Sequence, residues 1–171
     1  MIIDEDIVAG GVTPFIITKL IERHERERQR YRLLHDYYMG DHRILSRRKR
    51  GKNVANNRIM CNHAKYITDM TQSYLVGNPV TYAVSDEYDI EAIKNEYLEQ
   101  DMPSVDSEIV KNMSIYGKAY ELIYADEKSK PRSVRLDPEH TFVCYSQSAF
   151  EKPLFAAVSY THLTLPTILL V

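Results

Sequence analysis

Residues 57–82 read NRIMCNHAKYITDMTQSYLVGNPVTY, a stretch that predicts an amphipathic helix with a marked beginning. The side chain of Asn62 can accept a hydrogen bond from a backbone N–H of the first turn, which makes it a good N-cap. Spacings of three and four residues then place four side chains on one helical face, namely Ile67, Met70, Thr71 and Tyr74. From this pattern we expect Tyr74 to belong to the core.

A glycine and a proline end this helix. Gly77 can adopt the left-handed conformation that follows a last helical turn, and Pro79 cannot continue a helix. Beyond them Val80, Tyr82 and Val84 alternate with other residues, as in a strand with one buried face. The sequence therefore predicts a helix, a sharp stop and a strand.

A long helix is predicted before this stretch. Thr13 is a suitable N-cap for a helix over Pro14–Met39, whose proline fits the first helical position, and Gly40 is a natural stop. The middle of this helix, residues 22–30, has almost no apolar face. We expect this middle part to stand partly in solvent or to contact another subunit.

Two more helices and then several strands are predicted downstream. Ile90, Ile93 and Tyr97 face inward from one helix, and a second helix ends at Gly117. The apolar period then changes to two at residues 119–124, 133–136, 141–145 and 154–158. The predicted fold class is α+β, with a long N-terminal helical arm followed by helices and a small, mostly antiparallel sheet. The predicted domains are residues 1–50 (arm and basic loop), 51–157 (α+β domain) and 158–171 (apolar tail).

The tail, VSYTHLTLPTILLV, contains no Lys, Arg, Asp or Glu, although 27% of the whole chain is charged. This change in composition suggests that native sequence ends near Val158 and that the remainder is foreign. The alternative is an ordinary edge strand with an apolar terminus.

Composition and motifs argue against an enzyme. Lys and Arg number 22 and Asp and Glu 24, a net charge of −2, so the whole chain has no bias toward nucleic acid. No phosphate-binding loop, zinc-protease motif or nucleophile elbow is present, and the six histidines are dispersed. Cys61 and Cys144 lack the spacing of metal ligands and suit a reducing compartment. We expect no catalytic residue, no cofactor, no metal and, without an apolar run of about 18 residues, no membrane span.

One short segment is strongly basic. It contains six positive charges and no acidic residue: Arg43, Arg47, Arg48, Lys49, Arg50 and Lys52. Such a run can contact the phosphates of DNA, acidic neighbouring subunits, or only solvent. No helix-turn-helix, zinc finger or stacking platform accompanies it, so base readout is not expected.

Three blocks of the sequence together resemble the portal proteins of tailed double-stranded DNA phages, of the siphophage type. The blocks are YYMGDHRI at residues 37–44, NHAKYITDMTQSYLVGNPV at residues 62–80 and SIYGKAYEL at residues 114–122. The residues that carry the resemblance are Tyr37, Tyr38, Gly40, His42, Asn62, Lys65, Gly77, Asn78, Pro79, Gly117 and Tyr120. It covers roughly residues 20–157 and corresponds to the front part of a portal, so we expect an N-terminal fragment.

The resemblance implies a structural subunit in a homo-oligomeric ring, typically a dodecamer, at one capsid vertex of the virion. Such rings assemble in the host cytoplasm and serve procapsid assembly. They contact scaffolding or capsid protein, dock terminase for DNA packaging, hold head-completion proteins and let double-stranded DNA pass. For Tyr31, Tyr37 and Tyr38 the sequence leaves an intersubunit contact and core packing equally open. Two alternatives to the portal function remain, a small nucleic-acid-binding module that uses the basic run and a coiled-coil scaffold subunit. The long helix lacks the sustained heptads that the latter needs.

Overall fold

The computed structural model describes residues 1–4, 7, 11–48, 51, 55–84, 89–147, 152–162 and 165–170. The chain forms two compact units, the first from Met1–Arg32 with Leu136–Val171 and the second from Leu33–Arg135. The elements, in chain order, are β1 (Ile2–Ile3), α1 (Pro14–Met39), α2 (His63–Val76), α3 (Glu91–Glu99), α4 (Met102–Tyr116), β2 (Tyr120–Ala125), β3 (Pro131–Leu136), β4 (Thr141–Ser146), β5 (Pro153–His162) and β6 (Leu165–Leu170). The α+β class is confirmed. The division predicted at residues 50 and 157 stays a prediction.

The first unit is built on a four-stranded sheet in the order β1-β4-β5-β6. β4 pairs antiparallel with β5 and β5 with β6, whereas the short β1 runs parallel to β4. The buried core of this sheet consists of Ile3, Leu20, Phe142, Cys144, Phe155 and Ala157. Alternation along β4 and β5 points these side chains to one face, where α1 covers them with Leu20.

The predicted bounds of α1 are confirmed, and Ile17 and Leu20 form a buried apolar stripe on this helix. In its middle part, residues 22–30, one residue is buried, namely His24. Its imidazole lies 5.1 Å from the ring of Phe142 and 6.1 Å from that of Tyr31. Its Nε2 lies 3.3 Å from the carbonyl oxygen of Glu139. An aromatic ring with a polar edge thus continues the stripe where aliphatic residues are missing.

In the second unit the packing of α2 against α4 is polar. Thr68 on α2 and Asn112 on α4 are buried. Ser114 Oγ donates to Thr68 Oγ1 at 3.3 Å, and Gln72 Nε2 donates to the Ser107 hydroxyl at 2.7 Å. Two side-chain hydrogen bonds therefore join these two helices.

Several expectations about α2 and its surroundings are wrong. Gly77 is right-handed, with φ −64°, because its N–H continues the helical pattern by donating to the Ser73 carbonyl at 3.1 Å. Residues 79–84 form no strand, because they pair with no strand of the described chain. Tyr74, expected in the core, is 89% exposed, and Ile93 is exposed as well. The polar side of α2 is the one that meets α4.

Backbone pairing extends into the tail. β5 and β6 pair from Ala157 with Leu170 to His162 with Leu165. This describes a conformation, and the foreign origin of residues 158–171 stays a prediction. Within the described residues, no helix combines the length and apolarity needed to cross a bilayer.

The core of the first unit can be tested with a pair of phenylalanines. We expect Phe142→Ala to lower the free energy of unfolding by about 3–5 kcal/mol, because this side chain is 3% exposed and its loss leaves a cavity. Phe15→Ala is the control, since Phe15 is 67% exposed and should change stability by less than about 0.5 kcal/mol. Urea denaturation followed by circular dichroism measures both. Equal losses would contradict the described core.

The two thiols should differ in reactivity. Cys61 is exposed, whereas Cys144 is fully buried and its burial raises the pKa of the thiol. Because the thiolate is the reactive form, Ellman's reagent should titrate only Cys61 in the native chain at neutral pH and both thiols after denaturation. Cys61→Ser should abolish the fast reaction. A fast native reaction that survives this substitution would place Cys144 at the surface.

Candidate functional site

The side chain of Asn62 connects the end of α1 to the beginning of α2. Its Nδ2 donates to the Tyr38 carbonyl at 2.9 Å, and its Oδ1 accepts from the Lys65 backbone N–H at 3.0 Å. The N-cap role predicted from the sequence is confirmed. The same amide also satisfies a carbonyl in the last turn of α1, which has no partner within that helix.

Tyr38 links three helices in the second unit. It is buried, and its hydroxyl donates to Asp69 Oδ1 on α2 at 3.2 Å. The ammonium groups of Lys65 on α2 and Lys111 on α4 lie 5.0 and 5.8 Å from the centre of its ring. Two cation–π contacts and one hydrogen bond thus hold α1, α2 and α4 to one aromatic side chain.

Gly40 and His42 shape the turn after α1. Gly40 has φ +92°, and a Cβ there would lie 3.2 Å from Met60 Cε and 3.3 Å from Asn62 Nδ2. The imidazole of His42 stacks on Tyr37 with 4.7 Å between ring centres, and its Nε2 lies 3.1 Å from the Tyr37 carbonyl oxygen. We call Tyr37, Tyr38, Gly40, His42 and Asn62 the helix joint.

The structure thus brings six of the family-like residues together, the helix joint and Lys65, and disperses the other five. Gly117 has φ +73° and ends α4 by donating to the Met113 carbonyl at 2.9 Å, as predicted. Gly77, Asn78 and Pro79 follow α2, and Tyr120 begins β2. These residues lie in turns or at the ends of helices and strands, so their role is to set the conformation of the backbone.

The basic run begins in the turn that follows His42. Arg43, Arg47 and Arg48 are exposed, and none forms an ion pair with a carboxylate of the described residues. Arg58 fixes this turn, since its guanidinium donates to the Leu45 carbonyl at 2.9 Å. Lys49, Arg50 and Lys52 lie outside the described residues. Three guanidinium groups that have no ion-pair partner in the described part of the chain can meet an anionic surface.

The apolar face of α2 is exposed, contrary to the prediction from the sequence. Ile67, Met70 and Tyr74 share one face, as the periodicity predicts, but that face is exposed, and Tyr66 beside it is exposed too. The periodicity showed that a face exists but could not show which side α4 covers. Contiguous exposed apolar surface of this kind marks interaction sites.

A second apolar surface lies between α3 and the β2–β3 hairpin. The groove there has a volume of about 540 Å³, and its lining includes Ile93, Met102 and Ile123. Tyr97 also lines this groove, and its burial, with a hydrogen bond to Asp106, raises the pKa of its hydroxyl. Sequence reasoning missed this groove, because its walls come from separate elements.

Charged side chains fasten the rim of this groove. Lys130 pairs with Glu99 at 2.9 Å and with Glu96 at 3.3 Å, and Arg132 pairs with Asp126 at 3.0 Å. The Lys130 ion pair lowers the pKa of the Glu99 carboxyl, and the Lys130 backbone N–H lowers that of Asp126. The Lys130–Glu99 pair is exposed and contributes position more than stability. Among the described residues, no group of His, Cys, Asp and Glu could hold a metal ion.

A polar helix interface beside an exposed apolar face is the pattern of a component of a larger protein assembly. The sequence matches the family described as "Phage portal protein, SPP1 Gp6-like" over residues 17–167. It is also 30% identical over 159 residues to the portal protein of Bacillus phage SPP1, a match that covers 86% of this chain and 31% of that protein. The chain therefore belongs to the phage portal protein family. It spans about a third of the length of this curated relative.

The helix joint should respond to loss of one amide. We expect Asn62→Ala to lower the free energy of unfolding by about 1–2 kcal/mol, because the N-cap and the bond to the Tyr38 carbonyl are lost together. Asn95→Ala on the exposed side of α3 is the matched control and should stay within about 0.5 kcal/mol. Urea titration gives both values. Equal behaviour of the two variants would show that the joint does not depend on Asn62.

Proposed function

We propose that this chain is part of a phage portal subunit, which forms a homo-oligomeric ring at one capsid vertex of the virion. The observation that supports this most directly is the exposed apolar face of α2. In a subunit that worked alone this face would remain in contact with water, which is unfavourable in free energy. Family membership supplies the kind of assembly. A dodecamer is the proposed ring.

The proposed role is structural. The ring serves procapsid assembly in the host cytoplasm, together with scaffolding or capsid protein. It then docks terminase for DNA packaging, and head-completion proteins close it afterwards. Double-stranded DNA passes through the complete ring. Because the terminase supplies the energy, the portal subunit needs no catalytic group and no cofactor.

Subunit association explains the arrangement of α2 physically. Burying apolar surface contributes about 25 cal/mol per Å² removed from water, so covering Ile67, Met70 and Tyr74 favours association. The polar contacts with α4, through Thr68 and Gln72, meanwhile hold the helix in place before assembly.

A second function has one observation in its favour. Arg43, Arg47 and Arg48 are exposed and without an ion-pair partner among the described residues, which suits contact with DNA phosphates. In that case the chain would bind nucleic acid by itself, and the affinity would fall steeply with salt.

The portal proposal can be tested on the longest uninterrupted reading frame that contains this sequence. We expect native mass spectrometry and electron microscopy to show rings of that protein. Replacing both Met70 and Tyr74 by Glu should leave the circular dichroism spectrum unchanged and shift the protein to monomers, because carboxylates would be buried at the interface. Asn95→Glu, an exposed change on α3, is the control and should still form rings.

Two results would count against these proposals. An unsubstituted protein that stays monomeric and binds DNA with a steep salt dependence would replace the portal function by the nucleic-acid module. Rings that form equally well with both glutamates would leave the portal function standing and remove the α2 face from the interface.

A further inference from the structure

We propose that the outer edge of β2 accepts residues 80–84 of a neighbouring copy of this chain as an added strand. The inference rests on the proposed ring and names one of its subunit contacts. In the described part of the chain, β2 has a strand neighbour on one side only, and the strand-like segment pairs with no strand.

The acceptor is a sheet with one closed edge and one open edge. β2 and β3 form a two-stranded sheet, and the side chain of Gln100 lies along the far edge of β3. Its Nε2 donates to the Pro131 carbonyl at 2.8 Å, and its Oε1 accepts from the Ser133 N–H at 2.9 Å. This amide reproduces the bonds of a neighbouring strand, so β3 is already satisfied there. β2 has no strand neighbour besides β3 among the described residues.

The open edge carries none of the usual protection. Edge strands are normally guarded by lysine, proline, bulges or very short length. The last four residues of β2, 122–125, read LIYA and have no charge, and Ile123 is 70% exposed. The one charged residue of this strand, Glu121, accepts a hydrogen bond from Ser133 Oγ. An isolated two-stranded hairpin is marginally stable, so a third strand would stabilise it.

The donor is the segment that the sequence predicts as a strand and the structure leaves unpaired. Residues 79–84 read PVTYAV, carry no charge and are exposed throughout. No backbone hydrogen bond to this segment occurs among the described residues. Its alternation of Val80, Tyr82 and Val84 is that of a strand that buries one face, which requires a neighbour.

In its own chain the segment packs on helix α3 and does not pair with β2. Residues 79–82 lie along Lys94 and Leu98, and the ring of Tyr82 meets that of Tyr97 edge-on at 5.4 Å. Glu121 and Ile123 of β2 line the neighbouring groove with Ala92, Ile93 and Glu96. Because the chain's own segment is placed on α3 and β2 pairs only with β3 among the described residues, the proposed donor for β2 comes from another copy. Paired with β2, Val80, Tyr82 and Val84 of the other copy would extend the apolar surface that Ile123 begins.

A proline scan of the segment tests strand pairing directly. In an edge strand, alternate N–H groups point to the neighbour, and proline removes only its own. We expect either the pair Thr81→Pro and Ala83→Pro or the pair Val80→Pro and Val84→Pro, but not both, to raise the concentration for half-maximal ring formation at least tenfold. None of these N–H groups has a partner in the described chain, so the melting temperature of the isolated 171-residue chain should not change.

Crosslinking then decides between neighbouring copies and one chain. Subunits with single cysteines at residues 80–84 are assembled with tagged Ile123→Cys subunits, after accessible native cysteines are changed to serine. Oxidation should link the two kinds of subunit at one or two of the five positions. Val134→Cys, on the strand that Gln100 closes, is the matched control and should give no link.

The outcomes separate this inference from the proposed function. Rings in which all four prolines are tolerated or all four disrupt equally, or in which no copy links to Ile123→Cys, would overturn the strand pairing and leave the portal function intact. A link within one chain, found when both cysteines are on the same subunit, would also overturn it. If the unsubstituted protein forms no ring at all, the proposed function fails and this contact with it.

Discussion

Both hydrogen bonds of the Asn62 side chain are made at a place where the chain must change direction. One bond completes the last turn of α1 and the other begins α2, so a single amide sets the path between two helices. The rest of the joint depends on that path. Tyr38 reaches Asp69 only because α2 begins where it does, and Gly40 accepts the close approach that follows. The family-like residues of this block are therefore the parts of one folding constraint.

The two units distribute apolar side chains in opposite ways. The first unit buries them around Phe142 and Cys144 between its sheet and α1, as an ordinary domain does. In the second unit the helix contact at Thr68 and Gln72 is polar, and apolar residues of α2, α3 and β2 are exposed. Anything that binds only the native state adds to its stability. The second unit therefore has most to gain from a partner, whereas the first already has a core.

Local signals in the sequence were sufficient for most elements. Pro14 and Gly40 marked the ends of α1, Asn62 marked the start of α2, and the change of period located β2 to β5, because caps and alternation act over a few residues. These local signals could not predict contacts between residues that are distant in the sequence. The periodicity of Ile67, Met70 and Tyr74 predicted a face without showing what covers it, and the pattern of residues 80–84 could not supply a strand with a neighbour. The helix joint was recognised as a motif, but the hydrogen bond from Asn62 to the Tyr38 carbonyl joins residues 24 apart in the chain, which no local pattern reveals.

The amide of Gln100 has a consequence for geometry on a larger scale. A hairpin with two open edges could bind a strand on either side, and copies could then join in either direction. With β3 closed by Gln100, the proposed contact leaves each copy one receiving edge and one strand to give, so every link would have the same polarity. Links of one polarity turn by the same angle at each step, and they end only when the last copy meets the first. A single side chain that satisfies two backbone groups would thus exclude branched aggregates and leave one unbranched chain of copies, which closes into a circle where the turn per step allows it.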